Sequence, residues 1–427
     1  MVELERLKMS DLEVDIAVIG GGPAGLSAAI SAKQKGAKKV IVIDRNNWFG
    51  GILPQCIHDG FGIEETGKSM TGSEYAEIYI KKAEKKDIHL INETMVLKLN
   101  NNKDITVINR NGLHKIRAKA IILAMGCREK TRWTTMIPGD RPSGIFSAGV
   151  AQAFINLYNI MVGKNIVVLG SGDVGLIMAR RLKLEGANVL CVVEFLPNPS
   201  GLPRNVVQCL DDYDIPLLLS HTITCIHGRE RLEGVTIAQV DKKMKIIHGT
   251  EKKIKCDTLL LSLGLIPENE LSKAVGIKID NLTGGPIVNQ FFETSISGVF
   301  ACGNCLHVYD IVDTLSKDAK NTGQYATEYA NSQKKGINNN NKYIKIIPGS
   351  GIRYVIPQRV TKSGKVHFRL RVEKSKEKST LRIVDKNKEI FNKKLNFVTP
   401  SNMIGFNFNI TSELLKSSKN LEVVLDE

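Results

Sequence analysis

The sequence lacks any apolar run approaching the roughly 18 residues that a membrane-crossing helix needs. Its first residues, Met1 to Glu13, are charged throughout rather than built as a signal peptide. Both absences lead us to expect a cytoplasmic protein without a membrane span. Aromatic residues are scarce, at 6%. They are not interleaved with the basic residues as a base-stacking surface requires, and zinc-finger spacing is missing, so no nucleic-acid partner is expected. The eight cysteines (56, 127, 191, 209, 225, 256, 302 and 305) are mostly isolated. Cys191 lies inside the apolar run Val189 to Val193, which fits a reduced, buried thiol better than a disulfide framework. Cys302-Gly303-Asn304-Cys305 is the only CxxC, and no second CxxC or His pair accompanies it, so no metal site is expected.

What is present suits two or three domains: 427 residues, 42% hydrophobic and 24% charged. The formal charge of +15 is uneven, because residues 331–427 hold 20 Lys and Arg against 8 Asp and Glu, leaving net +3 for residues 1–330. That tail reads as a polar linker, Gln333 to Lys345, followed by short strands at Val355 to Pro357, Val366 to Val372, Leu381 to Val384, Leu395 to Val398 and Leu421 to Leu425. In Val366 to Val372 (VHFRLRV), alternation predicts a buried face of Val366, Phe368, Leu370 and Val372 and a basic outer face of His367, Arg369 and Arg371.

The glycines carry the chemistry. Asp15 to Ile19 reads as a strand feeding Gly20-Gly21-Gly22-Pro23-Ala24-Gly25, then a helix Leu26 to Lys35, then a strand Val40 to Ile43 ending in Asp44. Gly20 permits the tight turn, Gly22 lets backbone approach a pyrophosphate, and Gly25 allows close helix packing. Asp44 can accept from ribose hydroxyls. The same order recurs: strand Asn165 to Leu169, turn Gly170-Ser171-Gly172-Asp173-Val174-Gly175, helix Leu176 to Glu185, and strand Asn188 to Val193 ending in Glu194. Each acid stands 24 positions after its first glycine. Glu194 either selects a free 2′-hydroxyl, and so NADH over NADPH, or is an ordinary solvated strand end.

Three further segments, Ala118 to Gly126 (AKAIILAMG), Leu259 to Pro267 (LLLSLGLIP) and Thr294 to Gly303 (TSISGVFACG), complete a resemblance to the two-dinucleotide-domain flavoproteins of the pyridine nucleotide-disulfide oxidoreductase superfamily over residues 14 to about 335. The resemblance implies an α/β fold of two Rossmann-like three-layer domains, one for FAD and one for NAD, with a small C-terminal β-rich domain appended here. The implied division is FAD-binding residues 14–150 and 266–335, an inserted NAD-binding domain 151–265, and the basic domain 345–427. It implies FAD on Gly20, Gly22, Pro23, Ala24, Gly25, Asp44, Arg45, Gly51 and Ile52, with Val96 at the adenine and Ala124, Gly126, Gly303, Asn304, Val312 and Asp313 completing the site. Asn304 departs from the family's usual Asp. A helix starting near Ile311 to Thr314 should point its N-terminus at the flavin. NAD is implied on Gly170, Gly172, Asp173, Val174, Gly175, Glu194 and Gly264.

Both usual dithiol relays of the superfamily are missing. Gly50 to His58 has one cysteine where disulfide reductases have two, and Gly144 to Gln152, which resembles the thioredoxin reductase CxxC segment, has none. Cys302 and Cys305 are either a redox pair beside the flavin or a buried strand residue and its neighbour. Cys56 and His58 follow the Gly-Gly turn that in the family leads toward the flavin ring. They are candidate catalytic residues, His58 for proton exchange and Cys56 as a thiolate, or else packing residues.

Segments 50–62, 123–132, 137–152 and 302–313 look like a narrower branch. It holds the FAD/NAD-type subunits of amine and opine dehydrogenases, sarcosine oxidase and hydrogen cyanide synthase, and a dehydrogenase accompanying a glycerol-3-phosphate dehydrogenase-like flavoprotein. This implies hydride transfer between NAD(H) and FAD, and for a partner a second flavoprotein or iron-sulfur dehydrogenase subunit. The alternatives are a stand-alone NADH-dependent reductase or oxidase of a small acceptor, and a redox sensor with a basic binding tail.

Overall fold

Leu12-Glu-Val-Asp-Ile-Ala-Val-Ile19 is a nearly unbroken apolar run, the pattern of a strand covered on both faces. All of it except Glu13 is buried. In the computed structural model, which describes residues 12–332 and 342–426, this run is β1 (Leu12–Ile19). The elements α1 (Pro23–Gln34), β2 (Val40–Ile43), α2 (Gly72–Glu84), β3 (His89–Ile91), β4 (Met95–Leu99), β5 (Asp104–Asn109) and β6 (Gly112–Leu123) follow. They build a sheet of order β3-β2-β1-β6-β5-β4. β1 runs parallel to β2, with Ile16 opposite Val40, and to β6, with Ile19 opposite Leu123. The twelve-residue β6 is long enough to pair on both sides within this sheet, its first half antiparallel with β5, Ile105 opposite Ile116. α1 begins three residues ahead of the expected Leu26, because Pro23 suits the first helical position, where no N–H is needed.

The chain then builds a second unit from β7 (Ile145–Ser147), α3 (Ala148–Tyr158), β8 (Asn165–Leu169), α4 (Asp173–Leu184), β9 (Asn188–Val193), β10 (Leu217–Leu218), β11 (His221–His227), β12 (Gly234–Gln239), β13 (Lys252–Lys255) and β14 (Thr258–Leu261). Five of these strands form a parallel sheet, β10-β9-β8-β14-β7, and β11-β12-β13 form a separate antiparallel one. β7 pairs with β14, Leu259 opposite Ile145. The unit therefore takes in residues ahead of the expected start at 151, and its contact boundary is Arg128–Ile266 together with Gln55–His58.

On its return the chain adds β15 (Val299–Ala301) to the first sheet, parallel to β6, and then α5 (Val312–Ser332). α5 packs on α1 at bare backbone: a Cβ at Gly323 would lie 2.1 Å from Ala28 O. No helix among the described residues is long and apolar enough to cross a membrane.

Of the expected polar linker, residues 333–341 lie outside the described residues. After it come β16 (Ile344–Pro348), β17 (Ile352–Ile356), β18 (Arg359–Val360), β19 (Gly364–Val372), β20 (Lys376–Asp385), β21 (Lys388–Val398), β22 (Ile404–Ile410) and β23 (Asn420–Asp426). They form two sheets, β18-β16-β23-β20-β21 and β17-β19-β22. Val366, Phe368, Leu370, Leu381, Phe406 and Leu421 share one apolar core with residues of both sheets. The expected inner face of β19 is therefore present, but its basic outer face is not a solvated one. Only His367 is exposed, while Arg369 and Arg371 have side chains 11% accessible. Arg369 forks onto the buried Asp318 of α5, and Arg371 pairs with Asp310 and donates to Val308 O. Alternation told which residues point away from the sandwich core, not that another part of the molecule covers them.

Candidate functional site

The first glycine turn joins β1 to α1, and contact with Ala124 at the end of β6 dictates its shape. Gly20 has φ +105°, and a Cβ there would stand 2.2 Å from Ala124 O. Gly25 is equally confined, its Cβ position 1.8 Å from Gly20 O. Gly22 faces Gly51 across bare backbone, with its Cβ position 3.8 Å from Gly51 Cα. Gly22 caps α1 without a side-chain hydrogen bond, Pro23 fills the first helical position, Ala24 is buried, and the first turn carries no acid. The helix N-terminus thus presents backbone N–H groups and a partial positive charge free of competing carboxylate.

At the end of β2, Asp44 is 7% exposed. Its Oδ2 accepts from Gly21 N–H at 2.6 Å and its Oδ1 from Asn46 N–H at 2.8 Å, so the strand end and the turn are tied together. Arg45 is exposed and lies 3.9 Å from Glu268; Ile52 is exposed and Val96 buried. At Gly126 a Cβ would meet nothing within 4 Å, so the backbone there borders open space. Gly303 touches α1 instead, its Cβ position 2.6 Å from Ala24 Cβ. Asn304 Oδ1 accepts from Tyr309 N–H at 3.1 Å, and its Nδ2 lies 3.6 Å from Cys127 Sγ. α5 starts at Val312, within the expected window. Asp313 uses both oxygens on backbone, accepting from Gly62 N–H at 3.2 Å and Glu65 N–H at 3.0 Å.

The second turn repeats the construction. Gly170 has φ +98°, and its Cβ position lies 2.2 Å from Ser262 O at the end of β14. Ser171 N–H donates to Glu194 Oε2 at 2.9 Å, the counterpart of the Gly21–Asp44 bond. The solvated reading of Glu194 fails, since the residue is 4% exposed. Gly172 caps α4, Asp173 and Val174 open it, and Gly175 packs on Ser262, 2.6 Å from Cβ position to Cβ. Gly264 is exposed, with room for a Cβ on every side. Bare turns, N–H-rich helix starts and buried acids suit a dinucleotide at both places. Sequence reasoning missed the loop after β9 and the short helix Pro203–Cys209 that follows it, which lie over this turn through Ser200, Leu202 and Asn205. A lone serine and asparagine gave no signal of it.

Gln55 to His58 group with the second unit rather than with Gly50–Gly51. Gln55 Nε2 donates to Gly149 O and to Gln152 Oε1, both at 3.0 Å, and Cys56 Sγ lies 3.9 Å from the same Gln152 oxygen. His58 is half-buried. Burial pushes the Cys56 thiol up to about 12, so the thiolate expected there is disfavoured. All eight cysteines are free. Among the described residues, no group of three or more His, Cys, Asp or Glu is arranged to hold a metal.

The family model described as pyridine nucleotide-disulphide oxidoreductase matches residues 14–336. The NADH dehydrogenase of Bacillus subtilis (strain 168) is 28% identical over 298 residues, which cover 68% of this chain and 53% of that protein. An opine oxidase subunit of Rhizobium meliloti is 26% identical over 323 residues, 68% of this chain and 58% of its own length. Among solved structures, thioredoxin reductase from T. acidophilum matches with a TM-score of 0.63 and 22% identity, covering 76% of this chain and 100% of that one, a likeness of fold. The chain spans about half the length of the curated relatives it matches.

Proposed function

The chain belongs to the pyridine nucleotide-disulphide oxidoreductase family, whose enzymes use FAD and NAD(P)H, and from that premise we propose that it exchanges a hydride between NAD(H) and FAD and shares the electrons with a partner dehydrogenase subunit in the cytoplasm. The observation that carries this reading is the duplicated cradle. Gly21–Asp44 and Ser171–Glu194 are the same bond, made twice in one chain, each between a glycine turn and the buried acid that ends the next strand. When bound, the two cofactors supply the redox chemistry.

The chain's own residues bind and orient. The N-terminus of α1, free of acids, suits the pyrophosphate of FAD, and Asp44 keeps one lone pair on each oxygen for ribose hydroxyls. Asn304 is held by Tyr309 N–H on its oxygen and by Cys127 Sγ on its amide nitrogen, which fixes the side chain that would meet the ribityl chain. Glu194 presents a carboxylate where the 2′-phosphate of NADPH would sit.

The electrons need an exit other than a dithiol, since the usual relay positions lack cysteine pairs and Cys56, Cys302 and Cys305 are buried neutral thiols. A second flavoprotein or iron-sulfur subunit fits the likeness to the opine oxidase component. The same four segments carry the proposal of the amine, opine or glycerol-3-phosphate-linked branch. The likeness to an NADH dehydrogenase favours a second reading, in which the chain reduces a small acceptor unaided. A redox sensor with a basic binding tail loses support, because Arg369 and Arg371 are committed within the chain.

The test is an anaerobic titration of the FAD-reconstituted protein. NADH should bleach the visible flavin band, and NADPH should be roughly tenfold or more less effective, equivalent to about 1.4 kcal/mol of discrimination. A protein that takes up no FAD, or whose flavin NADH leaves oxidised, would overturn the proposal. Rapid turnover of the isolated chain with oxygen or a quinone would favour the stand-alone reading over the partner.

A further inference from the structure

Asp44 and Glu194 are equivalent in position but not in occupancy. Asp44 receives one N–H on each oxygen. A carboxylate has about four acceptor sites, so two remain. Glu194 receives Leu196 N–H on Oε1 at 2.9 Å, while its Oε2 takes Ser171 N–H at 2.9 Å, the Ser171 hydroxyl, and the Ser200 hydroxyl at 2.8 Å. Three donors on one oxygen exceed its two lone pairs. Ser200 N–H in turn donates to Ser171 Oγ at 2.9 Å, so the two serines and the acid form one closed network.

The end of the loop and the helix Pro203–Cys209 that follows it are latched to the same turn. Leu202 N–H and Asn205 Nδ2 both donate to Asp173 Oδ1, at 2.8 and 2.7 Å. Gly201 rests on the turn so closely that a Cβ would lie 2.8 Å from Ser171 O. Within this network Ser171 is fully buried and Glu194 nearly so, whereas Ser200 is exposed. Ser200 is therefore the donor that can leave without opening the core.

We propose that Ser200 holds the place of a ribose hydroxyl on Glu194, so that NAD(H) enters the second cradle by exchange with the loop after β9. This rests on the assignment of NAD(H) to the Gly170 turn. The exchange is hydroxyl for hydroxyl. The bond that ribose gains on Glu194 is set against the one Ser200 gives up, which lowers affinity without relaxing the choice between NADH and NADPH. Among the described residues the first cradle has no such competitor, so FAD would bind there without that exchange. The arrangement suits the two tasks, a resident cofactor at Asp44 and an exchanging one at Glu194.

The experiment is NADH binding by calorimetry to the FAD-loaded full chain, with bound FAD as the check of folding. Ser200→Ala removes the competing hydroxyl and should tighten NADH binding about three- to tenfold, the scale of one net hydrogen bond. Ser200→Thr keeps the hydroxyl and should bind NADH as the parent does. Unchanged or weaker binding by Ser200→Ala overturns the exchange and makes Ser200 a neutral or supporting contact. Gly170→Ala separates this from the assignment beneath it, since its Cβ would stand 2.2 Å from Ser262 O and should abolish NADH binding while FAD stays bound. If Gly170→Ala binds NADH like the parent, NAD(H) sits elsewhere and the assignment itself fails.

Discussion

Cys305 is fully buried and donates its S–H to Leu123 O and Cys302 O, both at 3.2 Å. Burial pushes this thiol up to about 12 and Cys302 well above the ordinary thiol range, as it does Cys56. The CxxC is thus two protonated core thiols, and of the two readings open in the sequence the geometry favours the packing one. The consequence for stability has a definite sign. In the unfolded chain a thiol ionises near 8.5, whereas in the fold it stays protonated, so above that pH the unfolded state binds fewer protons and gains on the native one. The contribution of Cys305 is whole below about 8.5 and is lost at about 1.4 kcal/mol per pH unit as pH rises toward its folded value. We expect urea midpoints to fall steeply above about pH 9, and Cys305→Ala to flatten that fall. We also expect Cys56, Cys302 and Cys305 to resist alkylation at pH 8 in the native state. Rapid labelling of Cys302 in folded protein would return the redox pair to contention.

β19 is held by two buried ion pairs, one to α5 and one to the segment just ahead of it. Arg369 binds Asp318, which also accepts from Tyr309 at 2.8 Å, and Arg371 binds Asp310, whose other oxygen accepts from Met403 N–H at 2.7 Å. Asp318 is 2% exposed, so removing Arg369 strands a charge in the core. Arg369→Met should cost about 3–5 kcal/mol, and Arg369→Met with Asp318→Leu should recover most of it. Thermal melts of both variants decide the point; a single variant that melts like the parent would show the pair to be idle. The alternation of VHFRLRV marked both faces of β19 correctly as apolar and basic. It could not mark the basic face as covered, because the covering residues, Asp310 and Asp318, lie some fifty to sixty positions earlier in the chain.

At the scale of the whole molecule, residues 342–426 group with the first unit. Tyr354 and Ile356 belong to the same apolar cluster as Ile121, Ile277 and Val288, and Gln358 bridges Val288 N–H and Asp280 at 3.0 Å each. A chain ending at residue 341 would expose that cluster, and we expect it to aggregate or to retain little FAD. A monodisperse, fully flavinated fragment with an unchanged melting temperature would contradict this. Part of the net +12 of the tail is therefore internal glue rather than a free docking surface. By itself the sequence determined the strand–turn–helix–strand order around the two glycine turns and the acids that close them. Each of these is local: a β-branched run, a turn that admits no side chain, and an acid at the end of the next strand. Only the tertiary structure decided what those residues share. It set Ser200 on Glu194, moved Gln55 to His58 into the second unit, buried the thiols and covered the arginines. Such contacts join positions distant in sequence, and neither period nor spacing encodes a long-range partner.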